Sequence, residues 1–187
     1  MRIPLDRTRG VVALLSRYAG RRDIRFVALH RGGLLDESTH RLLAAWAADC
    51  AEHVLPLYTS TYPHDDRPAR AIELARAWSR GEATVMDARE AAFAAHAAAR
   101  DAADPVAREV ARACGHAVAT AHMADHELGA AFYAIRAVRL ASPPHDARAA
   151  GQLECRWQRG RLPDAIRELV LSDQELRATK FQSAFDC

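Results

Sequence analysis

From Asp36 onward, apolar residues recur at helical spacing, and the gaps between them carry helix start and stop signals. Asp36 and Ser38 can cap a first helix whose Leu42, Ala45, Trp46, Asp49 and His53 mark one side, with Pro56 bending or ending it. After the polar connection YTSTYPHDDRP, Asp65 or Asp66 caps a second helix, with Pro68 in its first turn where a missing N–H costs nothing. Ile72, Leu74, Ala75 and Trp78 form its apolar side, and Gly81 ends it. Thr84 and Asp87 have the spacing of a capping box and open an alanine-rich helix to about Ala103. Asp104-Pro105 is the clearest start signal in the chain, an N-cap followed by proline at the first helical position. An unbroken helix from Pro105 to Ala141 would be unusually long for a compact domain, so a break is expected near His122 to His126, with Asp125 capping the second half. Ser142-Pro143-Pro144 stops that half, a further helix spans about Asp146 to Gln158, and Pro163-Asp164 opens a last one through Leu171.

Both ends of the chain read differently. Before Asp36, arginines surround two short apolar runs, Val11–Leu15 and Ile24–Leu29, with glycines at Gly10, Gly20, Gly32 and Gly33. A short helix over Gly10 to Tyr18 and an extended or irregular Ile24–Leu29 are expected, together forming an arm packed on the main domain. After Ser172 the chain is polar and expected to fray. The organisation is therefore an N-terminal arm (1–35), a helical domain (36–172) and a C-terminal tail (173–187). The fold class is all-α, with packed antiparallel helical hairpins in a compact bundle or short solenoid.

Composition sharpens this picture at three points. Half of the residues are hydrophobic but only 6% are aromatic, so helix contacts must come from alanine-rich faces and closely spaced backbones. The 26 basic and 24 acidic residues are interspersed, which disfavours the concentrated cationic face of a nucleic-acid binder. Cys50, Cys114, Cys155 and Cys187 form no C-x-x-C pair. With no secretory leader pattern and no stretch of membrane-spanning length, they are expected to be reduced thiols of a cytoplasmic protein.

Candidate chemistry concentrates in CGHAVATAHMADHELGAAFYAIR, Cys114 to Arg136. His122 and His126 are four apart. On one continuous helix they would be neighbours and could ligate zinc or iron, with a third ligand from His116, His96, Asp49 or Glu90. The pair lacks the glutamate of H-E-x-x-H, and the expected break would separate it. These imidazoles therefore read as hydrogen-bonded struts, and no metal or cofactor is expected. His96, set among alanines, could be a general base, but with no nucleophile partner it reads as a core imidazole donating to a carbonyl or carboxylate. Asp65 and Asp66 could hold Mg²⁺ or act as an acid–base pair, although capping and pairing with Arg67 account for the same residues. Trp46, Trp78 and Trp157 read as core anchors. Neither a nucleophile elbow nor a phosphate-binding glycine loop occurs, and no catalytic residue is assigned.

Several stretches together resemble the immunity-five-like putative immunity proteins of bacterial polymorphic-toxin systems. These are AADCAEHVLPLY (Ala47 to Tyr58), DDRPARAIELARAWSRGE (Asp65 to Glu82), AREAAFAAHAAAR (Ala88 to Arg100) and CGHAVATAHMADHELGAAFYAIRAV (Cys114 to Val138). The D-x-R-P…A-I-E-x-A-R-x-W-x-x-G string is the most specific, because helix formation does not force its polar and aromatic positions. The similarity covers about Asp36 to Ser142. It implies an all-helical cytoplasmic protein that binds and neutralises a cognate toxin, and non-enzymatic steric occlusion is the mechanism expected of it. Asp66, Arg67, Pro68, Trp78, His96, His116, His122, Asp125 and His126 would then be scaffold, since toxin-facing surfaces differ between pairs. The alternatives are a small metal-dependent enzyme using His122, His126 and His116, or a helical scaffold module. An exposed apolar edge could also support a homodimer.

Overall fold

Side-chain acceptors written into the sequence meet the first turns of four helices. Asp36 accepts the Thr39 N–H at 2.8 Å and opens α1 (Glu37–Thr59), which carries Pro56 in its last turn without stopping there. Asp65, not Asp66, accepts the Arg67 N–H at 3.2 Å where α2 (Arg67–Ser79) begins. Thr84 and Asp87 form the reciprocal capping box of α3 (Val85–Asp101). Asp104 accepts from Ala107 at 2.8 Å, with Pro105 as the first residue of α4 (Pro105–Ala119). Three more helices follow, α5 (Glu127–Ala141), α6 (Ala147–Gly160) and α7 (Asp164–Leu176).

This computed structural model describes residues 22–187, and among them the architecture is an all-α bundle. Helices α1 to α4 pack around one another, with α4 at the centre against α1, α2, α3 and α5; α6 lies on α5, and α7 closes one end against α1. Two cores result. The first is built almost wholly of alanine from α1 to α5, for example Ala47, Ala95, Ala111 and Ala134, so these backbones run close together. The second holds the large side chains, among them Phe26, Leu43, Trp46, Leu128, Ile135 and Ile166. It joins α1 and α5 to the later elements.

The break between α4 and α5 falls where the pattern places it. Helix α4 ends at Ala119, and a turn and one 3-10 turn (Ala124–His126) precede α5. Asp125 does not cap α5, however. Its carboxylate is drawn away to Arg22 at 2.6 Å, and His126 occupies the cap position with no side-chain bond. The expected helix over Gly10 to Tyr18 lies outside the described residues. Ile24–Leu29 is irregular, as expected. It forms two 3-10 turns that Gly32, at φ 83°, folds back so that Ala28 bridges to Leu35, with Phe26, Val27 and Leu35 buried against the helices.

Two expectations are corrected at the C-terminus. The tail does not fray: Phe181, Ala184 and Phe185 are buried, and Arg159 donates to the carbonyls of Phe185 at 2.7 Å and Cys187 at 3.2 Å. Nor are all four cysteines free, because Cys155 and Cys187 form a disulfide, leaving Cys50 and Cys114 as buried thiols. The apolar pair Phe181 and Phe185, four apart in a polar stretch, carries this docking and brings the last cysteine to α6. No helix among the described residues is long and apolar enough to cross a membrane. Because the disulfide closes a loop of sequence separation 32, Cys187→Ser is expected to lower unfolding stability by about 2–4 kcal/mol. Urea titration would measure that loss, and limited trypsin digestion of the variant should cut at Lys180 sooner than in the oxidised protein.

Candidate functional site

Two glycines make room for a row of imidazoles inside the bundle. A Cβ on Gly115 of α4 would lie 2.6 Å from the ring of His96 on α3, and one on Gly129 of α5 would lie 2.6 Å from the ring of His116 on α4. No side chain tolerates such approaches, so the rings occupy space that only glycine leaves open. His96 meets His116 edge-on at 5.2 Å between centroids, His116 meets His126 at 5.2 Å, and His126 meets His122 at 5.5 Å. Tyr133 of α5 stacks on His116 at 5.1 Å. The row thus runs from α3 across α4 to the break before α5.

Its electrostatics follow from burial. Nδ1 of His116 and Nδ1 of His126 are 3.3 Å apart, so one must donate and the other accept, and a single proton serves both nitrogens. Loss of solvent pushes His116 down to about 3, with the neighbouring His126 and His96 adding to the effect. Burial likewise pushes His126 down to about 4, only partly offset by the Asp125 carboxylate. His40, His96 and His122 are lowered for the same first reason. At neutral pH the row carries no charge.

The break itself is fastened from three sides. His40 of α1 donates through Nε2 to the Thr120 carbonyl at 2.6 Å, Arg22 binds Asp125, and Arg177, at the C-terminal cap of α7, donates to the Asp125 carbonyl at 2.9 Å. Arg177 also holds the fully buried Glu127 at 3.0 Å and pairs with Asp173. Burial raises the Glu127 carboxyl, while Arg177 opposes that rise. Sequence reasoning passed over His40, Glu127, Asp173 and Arg177. Glu127 had a readable signal, a lone acid entering the apolar run LGAAFYAI; the other three are recognised only from their partners.

The remaining candidates lie elsewhere. Asp65 accepts from the Tyr58 hydroxyl at 2.6 Å and from Arg67 at 2.7 and 2.8 Å, and Arg67 reaches on to Asp101 at 2.9 Å. The Arg67 guanidinium holds the Asp65 carboxyl down to about 2. This hub ties the end of α1 to the start of α2 and the end of α3. Asp66 stands apart from it, 3.8 Å from Arg70, so the two aspartates do not face a common point. Pro68 is buried in the first turn of α2. Trp46 is a core anchor, with its indole N–H donating to the Gln158 carbonyl at 2.9 Å. Trp78 and Trp157 are only half-buried, packed respectively edge-on to His40 at 4.7 Å and stacked on His53 at 3.6 Å. His96 makes ring contacts but no hydrogen bond to the described residues, which departs from the expected donation to a carbonyl or carboxylate. Among the described residues no three His, Cys, Asp or Glu side chains converge as a ligand set.

The sequence model of the Imm-5 like putative immunity protein family matches residues 33–165, well over half of the chain. The chain belongs to that family. The match starts near the end of the arm and continues past Ser142 through α6. It therefore takes in Glu154 and Gln158, buried polar residues of α6 bonded to His53 at 2.8 Å and to the Ala131 carbonyl at 3.2 Å. No curated protein and no solved structure matches the chain.

Two measurements probe the row. Gly115→Ala and Gly129→Ala should each destabilise the protein by about 1–3 kcal/mol through overpacking against an imidazole, read as a lower thermal midpoint. The second is acid sensitivity. In the unfolded chain His116 and His126 take up protons near the ordinary 6.5, whereas folding holds them near 3 and 4. Stability is therefore full above pH 6.5 and falls as pH drops through that value toward 4. Between pH 7 and pH 5 the loss should be about 1–2 kcal/mol per imidazole. Urea midpoints across that range should be flatter for His126→Gln than for the natural protein.

Proposed function

We propose that this protein is an immunity protein that binds a cognate bacterial toxin and neutralises it by steric occlusion, without turnover. The family match over residues 33–165 carries the reading. The chemistry of the histidine row is consistent with it. Neutral imidazoles packed on glycine and on one another act as internal struts in this reading, and among the described residues no serine, threonine or cysteine side chain is bonded to any of them; Cys114 is fully buried, with its thiol pushed up by loss of solvent. Asp66, Arg67, Pro68, Trp78, His96, His116, His122, Asp125 and His126 belong to the scaffold in this reading, and the toxin meets a different, solvent-facing surface. Protection inside the producing cell makes a cytoplasmic location part of the same proposal. There the pairing of Cys155 with Cys187 would depend on the local redox poise.

Titrating this protein into an activity assay of the toxin encoded beside its gene tests the reading. Inhibition should grow in proportion to added protein and reach completion near equimolar amounts, with the two proteins co-eluting on size exclusion. Complete loss of toxin activity at a small fraction of equimolar protein would mean turnover and overthrow the occlusion mechanism.

A further inference from the structure

Large apolar side chains stand exposed on the arm and on α3 among the described residues. Leu29 of the arm is 53% exposed, and Met86 and Phe93 of α3 are 60% and 67% exposed. Met86 and Phe93 are seven residues apart, so they lie on one side of the helix two turns from each other. On the adjoining side of α3, Val85 and Arg89 line a cleft of about 880 Å³ between that helix and the arm, and Leu29 and Arg31 line its opposite wall. Large side chains exposed together beside a concave apolar cleft are the usual mark of a binding surface, and isolated exposed ones are not.

Among the described residues the charges around the cleft do not balance. Its acids are already engaged: Asp36 caps α1, Glu37 pairs with Arg41, and the nearby Asp125 pairs with Arg22. Arg31 and Arg89 have no carboxylate within ion-pair distance among the described residues, and Glu90, between Met86 and Phe93, is the opposing charge on the stripe. We propose that the cleft between the arm and α3, with the Met86–Phe93 stripe beside it, docks an acidic protein partner, which seats an apolar ridge in the cleft and sets carboxylates against Arg31 and Arg89. This deepens the immunity reading and rests on it for one point only, that the acidic partner is the toxin. A second copy of the chain fits the surface poorly. A two-fold dimer joins the same patch to itself and would bring Arg31 and Arg89 of both copies together, a like-charge arrangement that disfavours the pair.

The full chain can be tested with defined probes before any toxin is used. A fluorescein-labelled helical peptide of leucine and glutamate heptads should bind with an affinity that falls as salt rises, and its leucine–lysine counterpart should bind at least about tenfold more weakly. The double variant Arg31→Glu/Arg89→Glu and the single variant Phe93→Ser should each weaken acidic-peptide binding about tenfold or more. Arg148→Glu on α6 should leave it unchanged, with circular dichroism confirming that every variant folds. Equal binding of the two peptides, or undiminished binding by the double variant, overturns the proposal. So does a concentration-dependent dimer that Phe93→Ser abolishes, since the occupant would then be a second copy. In the toxin titration, Phe93→Ser and the double variant should neutralise poorly; full neutralisation by both would place the toxin on another face and overturn this surface while the immunity reading stands. If the natural protein fails to neutralise the toxin but the peptide results hold, the immunity reading falls and the acidic-partner surface survives.

Discussion

Close approach of α4 to its neighbours is the constraint on which the rest of the structure depends. This helix lies against α1, α2, α3 and α5 at once, and nearly every residue it buries is small. A core of that kind gains dispersion and burial from backbone proximity and contact area, not from large side chains, so a single added methyl group is felt. Gly115 and Gly129 mark the places where even alanine would be too large, because imidazoles pass there. Histidine suits these gaps. It is flat, it stacks on Tyr133 and on other imidazoles, and one ring nitrogen can donate to the next.

The same dryness that makes the row compact makes it neutral. Desolvation penalises a charged imidazole, and the accumulation of rings makes a second proton harder to add than the first. Where a carboxyl is fully buried inside the protein, at Glu127, it is met by Arg177, which also binds Asp173 and the Asp125 carbonyl. One arginine at the C-terminal cap of the last helix thus holds the segment where the long helical run is broken. Burying such a group is costly unless its partners are in place, and this ties the position of α7 to the conformation of the break.

Interior and exterior have separate tasks in this arrangement. The matched range 33–165 takes in the alanine-rich core, the imidazole row and the Asp65–Arg67 hub, all of which hold helices together. The arm and the outward face of α3 supply exposed apolar and cationic groups that the packing does not use.

The sequence alone determined the helical class, the starts of the capped helices and the break after α4, because caps, proline positions and periodicity act over only a few residues. It also marked Cys114 to Arg136 as a stretch where glycine and histidine would pack closely, and family motifs pointed to immunity proteins. Tertiary structure decided which partner each polar group found. Asp125 left its cap for Arg22, Asp65 took the role open to either aspartate, and Trp78 and Trp157 came to rest at half-buried seams. It also decided that the tail folds back to join Cys187 to Cys155 and that Arg177 reaches Glu127. Local rules set where a helix begins, but pairing across fifty or a hundred residues depends on which surfaces the packed helices bring together, and no spacing along the chain records that.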